Sequence, residues 1–170
     1  DPVRLNICKR ASEYVSADYL REGFDLKLDI SNMPEVNDAT FDVVIAFDVL
    51  EHVENYQKAL HEIHRVLSVD GFAILTVPQQ DNLLVTYEDS SIVTPEDRTK
   101  HFGQWDHLRI FGDDFSEIVA NAGFSVDVVD ESSFSKDQVR KYVLFPPTLS
   151  TRPLATNFRK VFFAKKLALQ

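Results

Sequence analysis

Acidic and imidazole side chains gather at two places in this chain, and each place lies beyond an apolar segment. Asp48, Glu51 and His52 follow the first segment, and Asp106 and His107 lie in the polar stretch beyond the second. Imidazole has an ordinary pKa near neutrality, so it suits general base chemistry, and a neighbouring carboxylate can orient it. We therefore predict that His107, His52 and Asp106 are catalytic, with His107 as the preferred base and Asp106 as the group that orients it.

The segments before and between these residues predict a strand–helix–strand unit. Residues 41–47 form an almost continuous apolar run rich in β-branched side chains, typical of a strand covered on both faces. Apolar residues recur three and four positions apart over 56–67, which predicts an amphipathic helix. Asp70-Gly71 then predicts a turn, and residues 72–77 a second strand. Such a parallel crossover binds ligands beyond the carboxyl ends of its strands.

Composition narrows the class of protein. The 170 residues suit one domain, 1–170. Eighteen basic and 27 acidic residues give a net charge of −9, so the field of the protein repels nucleic acid. No apolar run approaches the length of a membrane span, and the single cysteine, Cys8, has no partner for an internal disulfide. We therefore expect a cytoplasmic protein that binds neither nucleic acid nor membranes.

Two stretches of the chain carry a family resemblance. The central stretch contains Phe41-Asp42, Leu50-Glu51-His52, Glu62 with Arg65-Val66-Leu67, Gly71 and Pro78. In this order and spacing it resembles class I S-adenosylmethionine-dependent methyltransferases of the type 11 group, with Asp70 where that family usually has a first Gly. Residues 86–112 resemble a subset of the group with the pattern Thr-x-Glu-Asp followed by Phe-Gly-Gln-x-Asp-His-x-Arg. Trp105 and Phe111 are tolerable departures from the subset.

The resemblance implies a fold and an activity. The implied fold is α/β, a three-layer Rossmann-like sheet that is mostly parallel with an antiparallel last strand, in the family's strand order 3-2-1-4-5-7-6. The implied activity is transfer of a methyl group from S-adenosyl-L-methionine to O or N of a small molecule. The alternative is a catalytically inactive methyltransferase-like module that binds a metabolite or protein through residues 79–112. A nicotinamide-dependent reductase is disfavoured, because its glycine fingerprint is not found.

Two short segments predict strands that end in acids, 13–19 at Asp18 and 25–30 at Asp29. A carboxylate at such a strand end can accept both hydrogen bonds of a ribose diol. The resemblance assigns Asp18 to the cofactor ribose, and Asp29 with the backbone of Ile30 to the adenine amino group. The predicted cofactor-binding residues are Asp18, Tyr19, Asp29, Ile30, Phe47 and Asp48. The alternative is that these acids are simply exposed turn residues.

In the resembling family, a first strand and a glycine-rich turn come before these strands. This chain has no glycine before Gly23. Either the turn lies upstream of these residues or the protein has lost it. We expect the turn to lie upstream, because a sheet that began at its second strand would leave its centre empty.

Residues 79–112 lack a sustained apolar period and contain many aromatic and ionisable side chains. Loops of this length are usually functional, so we predict a substrate loop inserted after the central strand. The predicted substrate-binding residues are Glu88, Gln104, Trp105 and Arg109, with Arg109 available for an anionic group. The alternative is that Asp106 and Arg109 pair to hold the shape of the loop.

A divalent metal at Asp48, Glu51 and His52 is a further hypothesis. In some ubiquinone-pathway O-methyltransferases similar residues bind such an ion, and oxygen ligands with one imidazole suit Mg²⁺ or Mn²⁺. The simpler interpretation is that Glu51 and His52 begin the following helix and stabilise its N-terminus. We adopt that interpretation and predict no metal ligand.

The last elements predicted are a helix over 113–123 capped by Asp114, and strands over 124–130 and 161–164.

Overall fold

The computed structural model of the chain describes residues 6–142 and 148–167. Its described strands are β1 (Ala17–Asp18), β2 (Leu26–Lys27), β3 (Phe41–Phe47), β4 (Leu67–Thr76), β5 (Tyr87–Glu88), β6 (Arg109–Ile110), β7 (Phe124–Val129) and β8 (Val161–Lys166). Its described α-helices are α1 (Tyr56–Val66), α2 (Pro95–Phe102), α3 (Phe115–Asn121) and α4 (Lys136–Tyr142). Short 3₁₀ helices span Leu50–His52 and Glu131–Ser133.

The main sheet has four strands in the order β3-β4-β8-β7. Strands β3 and β4 are parallel and are joined through α1, whereas β8 runs antiparallel to both β4 and β7. This order equals the last four positions, 4-5-7-6, that the resemblance implied. Strands β1 and β2 form a separate parallel pair, and β5 and β6 pair antiparallel. The predicted Rossmann-like α/β fold with an antiparallel last strand is confirmed.

The core forms where α1 packs against the sheet. Asn55 caps the helix, since its side chain accepts a hydrogen bond from the backbone N–H of Lys58. Ala59, Leu60 and Ile63 are fully buried, as the spacing predicted. Burying one such leucine or isoleucine side chain stabilises the fold by roughly 1.5–3 kcal/mol. The same cluster includes the aromatic residues Tyr56, Phe111, Phe115, Phe124 and Phe162.

Strand β3 is less covered than its sequence predicted. Val43 and Phe47 are exposed large apolar side chains, while Ala46 between them is buried. Among the described residues β3 pairs only with β4, so the other edge of β3 is open. The prediction that β3 is covered on both faces is therefore wrong, since the strand has one open edge and partly exposed faces.

Strand β4 begins at Leu67, five residues earlier than predicted, and includes the predicted turn. Asp70 has a φ of 65° there, and the register with β3 shifts between its pairs with Phe41 and Val43. A Cβ on Gly71 would lie 2.9 Å from the carbonyl oxygen of Ser68. Gly71 is therefore needed for close backbone approach rather than for a turn between two elements.

The segment after β4 is structured, which the sequence analysis did not predict. It contains β5, α2 and β6. Thr94 caps α2 by accepting from the backbone N–H of Asp97, Pro95 begins the helix, and Gly103 with a φ of 89° ends it. The predicted cap at Asp114 is wrong, because its carboxylate accepts hydrogen bonds from the backbone and hydroxyl of Thr86 instead.

The strands predicted over 13–19 and 25–30 are shorter than predicted. β1 and β2 are only two residues each, and hydrogen bonds between Ser16 and Asp25 precede their pairing. No helix among residues 6–142 and 148–167 is both long enough and apolar enough to cross a membrane.

Arg65 attaches the connection before β3 to α1. Its guanidinium donates to the carbonyl oxygens of Met33 and Val36 and to the carboxylates of Asp38 and Glu62, over distances of 2.7–2.9 Å. Met33 and Val36 form a second apolar cluster with Val66. The hydrogen bonds from Arg65 hold the pKa of Glu62 down, at about 2.

We expect Arg65→Met to lower the free energy of unfolding at pH 7 by about 1–3 kcal/mol, because the carbonyls of Met33 and Val36 lose their donors. The contribution of Glu62 is present above its ordinary pKa of 4.5 and is lost as the pH falls toward about 2. The difference between the two proteins should therefore narrow in acid. Urea denaturation at several pH values measures it. The exposed Arg152 provides the control variant Arg152→Met, and equal losses in both variants would contradict the assigned role.

Candidate functional site

A cleft of about 270 Å³ opens at the carboxyl ends of β3 and β4. Three stretches of chain contribute to it: the 3₁₀ turn after β3, the segment after β4, and the residues before β8. The residues that line the cleft are Asp48, Glu51, His52, Pro78, Gln104, His107 and Arg159. The structure therefore brings together the two groups of acidic and imidazole side chains that the sequence singled out.

Asp48 ends β3 in a left-handed conformation, with a φ of 52°. Its backbone N–H donates to the carbonyl oxygen of Thr76, and its Oδ1 accepts from the hydroxyl of Thr76 at 3.1 Å. Its Oδ2 accepts from Nη1 of Arg159 at 3.0 Å. Both carboxylate oxygens of Asp48 are thus engaged by the protein itself, although we predicted it as a cofactor-binding residue.

Arg109 fastens the segment after β4 to the 3₁₀ turn. The side chain is only 4% exposed. Its guanidinium donates to the carbonyl oxygens of Leu50, Val53 and Glu54, at 2.6–3.0 Å. Its Nε donates to the carboxylate of Glu88 at 2.9 Å.

These contacts bear on the predicted role of Arg109. A substrate anion would have to displace buried hydrogen bonds to reach the guanidinium, which costs more than displacing water. The contacts support the alternative interpretation, in which Arg109 holds the shape of the segment. Its partner is Glu88, however, and not Asp106, so the predicted substrate-binding pair Glu88 and Arg109 bind each other.

Asp106 contacts His52 rather than its sequence neighbour His107. Its Oδ2 lies 3.3 Å from Nδ1 of His52, and its Oδ1 accepts from the amide of Gln104 at 2.8 Å. The expectation that Asp106 orients His107 is therefore not what the structure shows. Gln104 reaches the cleft, whereas Trp105 points into solvent and is largely exposed.

His107 is buried and is oriented by a backbone carbonyl. Its Nδ1 lies 3.1 Å from the carbonyl oxygen of Phe102. Because a carbonyl only accepts, Nδ1 carries the proton, and the lone pair of the neutral ring is on Nε2. Nε2 lies 4.0 Å from Oε1 of Glu51, and the ring meets His52 edge-on. Burial lowers the pKa of His107, which keeps the ring neutral.

Glu51 belongs to the site, although we did not predict it as a site residue from the sequence. The side chain is 1% exposed, and its Oε2 has no hydrogen-bond partner within residues 6–142 and 148–167. Burial raises the pKa of Glu51 to about 7, and the nearby charges of Asp48 and Asp106 add to the effect. The signal in the sequence was its position next to His52, but an acid in a turn is usually exposed.

The other predicted cofactor residues lie outside the lining of this cleft. Oδ1 of Asp18 accepts from the backbone N–H groups of the two residues after Tyr19, which lowers the pKa of this acid. Oδ1 of Asp29 accepts from the backbone and hydroxyl of Ser31. Each acid thus uses one oxygen to close a turn. Tyr19 and Phe47 are exposed, and Ile30 packs against both apolar clusters.

Comparison with known proteins identifies the first part of the chain. Residues 3–75 match the family described as a methyltransferase domain. The match covers less than half of the chain. The methyltransferase domain match contains Asp18, Asp29, Glu51 and His52, whereas His107 lies beyond it. The predicted relationship to class I S-adenosylmethionine-dependent methyltransferases is confirmed.

A curated relative and three solved structures are among the proteins that resemble the chain. An uncharacterized protein of Methanocaldococcus jannaschii is 51% identical over 47 residues, which cover 28% of this chain and 20% of that protein. A Bacillus halodurans protein described as a candidate methyltransferase has a TM-score of 0.60 at 16% identity, covering 98% of this chain and 87% of its own. An Archaeoglobus fulgidus S-adenosylmethionine-dependent methyltransferase has a TM-score of 0.58 at 16% identity, covering 96% and 80%.

The third solved structure holds ligands. The 1,6-didemethyltoxoflavin-N1-methyltransferase of Burkholderia thailandensis contains 1,6-didemethyltoxoflavin and S-adenosylhomocysteine. Its TM-score is 0.54 at 18% identity, and the match covers 89% of this chain and 60% of that enzyme. At such identities the likeness shows the fold alone.

Glu51 generates a prediction about pH. Between pH 4.5 and about 7 the unfolded chain ionises this carboxyl while the folded chain keeps it neutral, so the free energy of unfolding falls as pH rises. In buffer freed of divalent cations, we expect Glu51→Gln to stabilise the protein more at pH 8 than at pH 5, by on the order of 2–3 kcal/mol.

Chemical denaturation at the two pH values measures this difference, and the comparison between pH values cancels any packing cost of the glutamine. The exposed Glu54, three residues away, provides the matched control Glu54→Gln. A pH-independent effect of Glu51→Gln would show that Glu51 is ionised in the folded protein throughout this range.

Proposed function

We propose that this protein transfers a methyl group from S-adenosylmethionine to an oxygen or nitrogen atom of a small molecule. The observation that carries the proposal is the match of residues 3–75 to the methyltransferase domain family. In this transfer the sulfur–methyl bond breaks as the new bond to the acceptor forms, and a hydroxyl or amine acceptor loses its proton. The protein mainly has to align the two molecules and receive that proton.

We place the cofactor at the strand-end acids. Asp18 and Asp29 each hold one carboxylate oxygen in a turn, which leaves Oδ2 available for the ribose and adenine groups respectively. The exposed rings of Tyr19 and Phe47 offer flat apolar surface of the kind that packs against adenine. The solved relative from Burkholderia thailandensis contains S-adenosylhomocysteine on the same fold, which supports the choice of cofactor.

We place the acceptor in the cleft between the 3₁₀ turn and the 79–112 segment. The lining is polar and carries two imidazoles and an amide. In the metal-free protein His52 is the better base, because it is partly exposed and Asp106 orients it, whereas His107 is buried. The Burkholderia thailandensis relative is by its name an N1-methyltransferase of 1,6-didemethyltoxoflavin, and this supports a small-molecule acceptor. The single cysteine supports a cytoplasmic setting.

A binding measurement tests the proposed function. We expect S-adenosylhomocysteine to bind the natural full-length protein in a calorimetric titration, and Asp18→Asn in that protein to weaken the binding by about tenfold or more. The asparagine keeps the Oδ1 acceptor that the turn requires, but it replaces the second acceptor oxygen with a donor.

The exposed Asp127 on β7 provides the control Asp127→Asn, which should bind like the unmodified protein. If the unmodified protein binds no S-adenosylhomocysteine at millimolar concentration, the proposed function is wrong. If Asp18→Asn binds equally well, the function stands and the assignment of Asp18 fails.

A further inference from the structure

We propose that Glu51, His52 and His107 form a binding site for a divalent transition-metal cation of the zinc type. The three side chains come from two separate stretches of chain, the 3₁₀ turn after β3 and the segment before β6. The proposal concerns binding itself and does not depend on the proposed methyl transfer. It differs in its ligands and in the class of metal from the set Asp48, Glu51 and His52 considered from the sequence.

The donor atoms converge. One ligand atom from each of the three side chains lies within 4.8 Å of the other two. Nε2 of His52 is 3.9 Å from Oε1 of Glu51, and Nε2 of His107 is 4.0 Å from the same oxygen. Ligands at zinc bond lengths are about 3.4 Å apart at a tetrahedral angle. The two distances to Oε1 of Glu51 therefore have to shorten by several tenths of an ångström when the ion binds. Any pair of ligand atoms near the 4.8 Å limit has to approach by over 1 Å.

The outer nitrogen of each imidazole is already held in the manner of a metal-bound histidine. Nδ1 of His107 donates to the carbonyl oxygen of Phe102, and Nδ1 of His52 faces the carboxylate of Asp106. Ligating histidines commonly donate their second N–H to a carbonyl or carboxylate, which fixes the tautomer. Both contacts leave the lone pair on Nε2, the nitrogen that faces Glu51.

The carboxylate of Glu51 lacks the partner that its burial requires. A buried carboxylate without hydrogen bonds or an opposite charge is costly, and native proteins rarely keep one. Oε2 of Glu51 has no hydrogen-bond partner in the described part of the chain. The charges that act on this carboxyl are the acids Asp48 and Asp106 and the cation Arg159, which is itself paired with Asp48. A divalent cation between Glu51 and the two Nε2 atoms would supply the missing positive charge.

The donor set selects the class of metal. Two imidazole nitrogens and one carboxylate oxygen suit zinc and its first-row neighbours, whereas magnesium and calcium prefer oxygen ligands. Asp48 would add a second carboxylate, but Arg159 and Thr76 occupy its oxygens. The ion would have three protein ligands and an open position toward the cleft, where Gln104 lies. Sites with an open position bind a water molecule or a ligand there.

Zinc binding tests the proposal directly. We expect the chelator-stripped protein to bind one Zn²⁺ per chain, with a Kd of about 1 µM or below, in competition with a chromophoric chelator. Glu51→Gln and His52→Asn should each weaken binding by about a hundredfold or more, because each removes one of three ligands. Mg²⁺ in millimolar excess should not compete.

Matched controls separate this site from adventitious binding. Glu54→Gln and His61→Asn change exposed residues of the same types near the same elements, and they should bind zinc like the unmodified protein. A thermal melt provides a second readout: zinc should raise the melting temperature of the unmodified protein and of both controls, but not that of Glu51→Gln.

Two outcomes would overturn the proposal. One is that the unmodified protein fails to bind zinc at 100-fold the expected Kd. The other is that Glu51→Gln and His52→Asn, shown by circular dichroism to be folded, bind zinc as tightly as the controls. The titration contains no S-adenosyl compound, so failure of the proposed function in the S-adenosylhomocysteine titration would leave this result unchanged.

Discussion

The candidate site depends on the buried guanidinium of Arg109. It donates to the carbonyl oxygens of Leu50, Val53 and Glu54, in and directly after the 3₁₀ helix. Beside it, the backbone N–H of Leu108 donates to the carbonyl oxygen of Glu51. The segment after β4 is thereby docked onto the turn after β3, and His107 is brought against Glu51 and His52. A stacked contact with the ring of Tyr56, 4.6 Å away, extends the attachment into the core.

Two unfavourable local features lie close to this attachment. Asp48 adopts a left-handed conformation that costs energy for a residue other than glycine. Glu51 is buried without a hydrogen-bond partner for Oε2, three residues away. Elsewhere, capping residues, apolar stripes and strand pairing agree with one another, as in α1 with its cap at Asn55. Left-handed residues and unpartnered buried atoms also occur elsewhere in the described chain, as at Ala39 and at Nε2 of His64. Here the two lie in one cleft lined by acids and imidazoles, which is typical of a functional site.

The sequence predicted the parts of the fold that depend on local patterns. The apolar run of β3 and the three-and-four spacing of α1 placed both elements at their observed positions. Helix α2 was missed, because eight residues contain too few apolar positions to show a period. Its signals were the cap at Thr94, the proline that follows, and Gly103 at its end. These capping signals are local, so they are enough to predict helix α2 from the sequence.

The arrangement of the site could be predicted only in part. The turn containing Glu51 and His52 had to lie at the carboxyl end of β3, and that followed from the pattern alone. The partners of Asp106 and Arg109 depend on how a 34-residue segment folds back, and no spacing in the sequence encodes that. An arginine near an acid is also ambiguous, since binding a substrate anion and holding a loop require the same two residue types.

The cleft is bounded by one strong contact and one weak contact. Arg109 is buried and bonded to three carbonyl oxygens, so removing it would leave several polar groups unpaired inside the protein. Arg159 closes the opposite side through its ion pair with Asp48, in which the side chains are 61% and 41% exposed. Exposed pairs of this kind contribute only about 0–1 kcal/mol. A ligand that enters the cleft can therefore displace Arg159 at little cost while Arg109 keeps Glu51, His52 and His107 together.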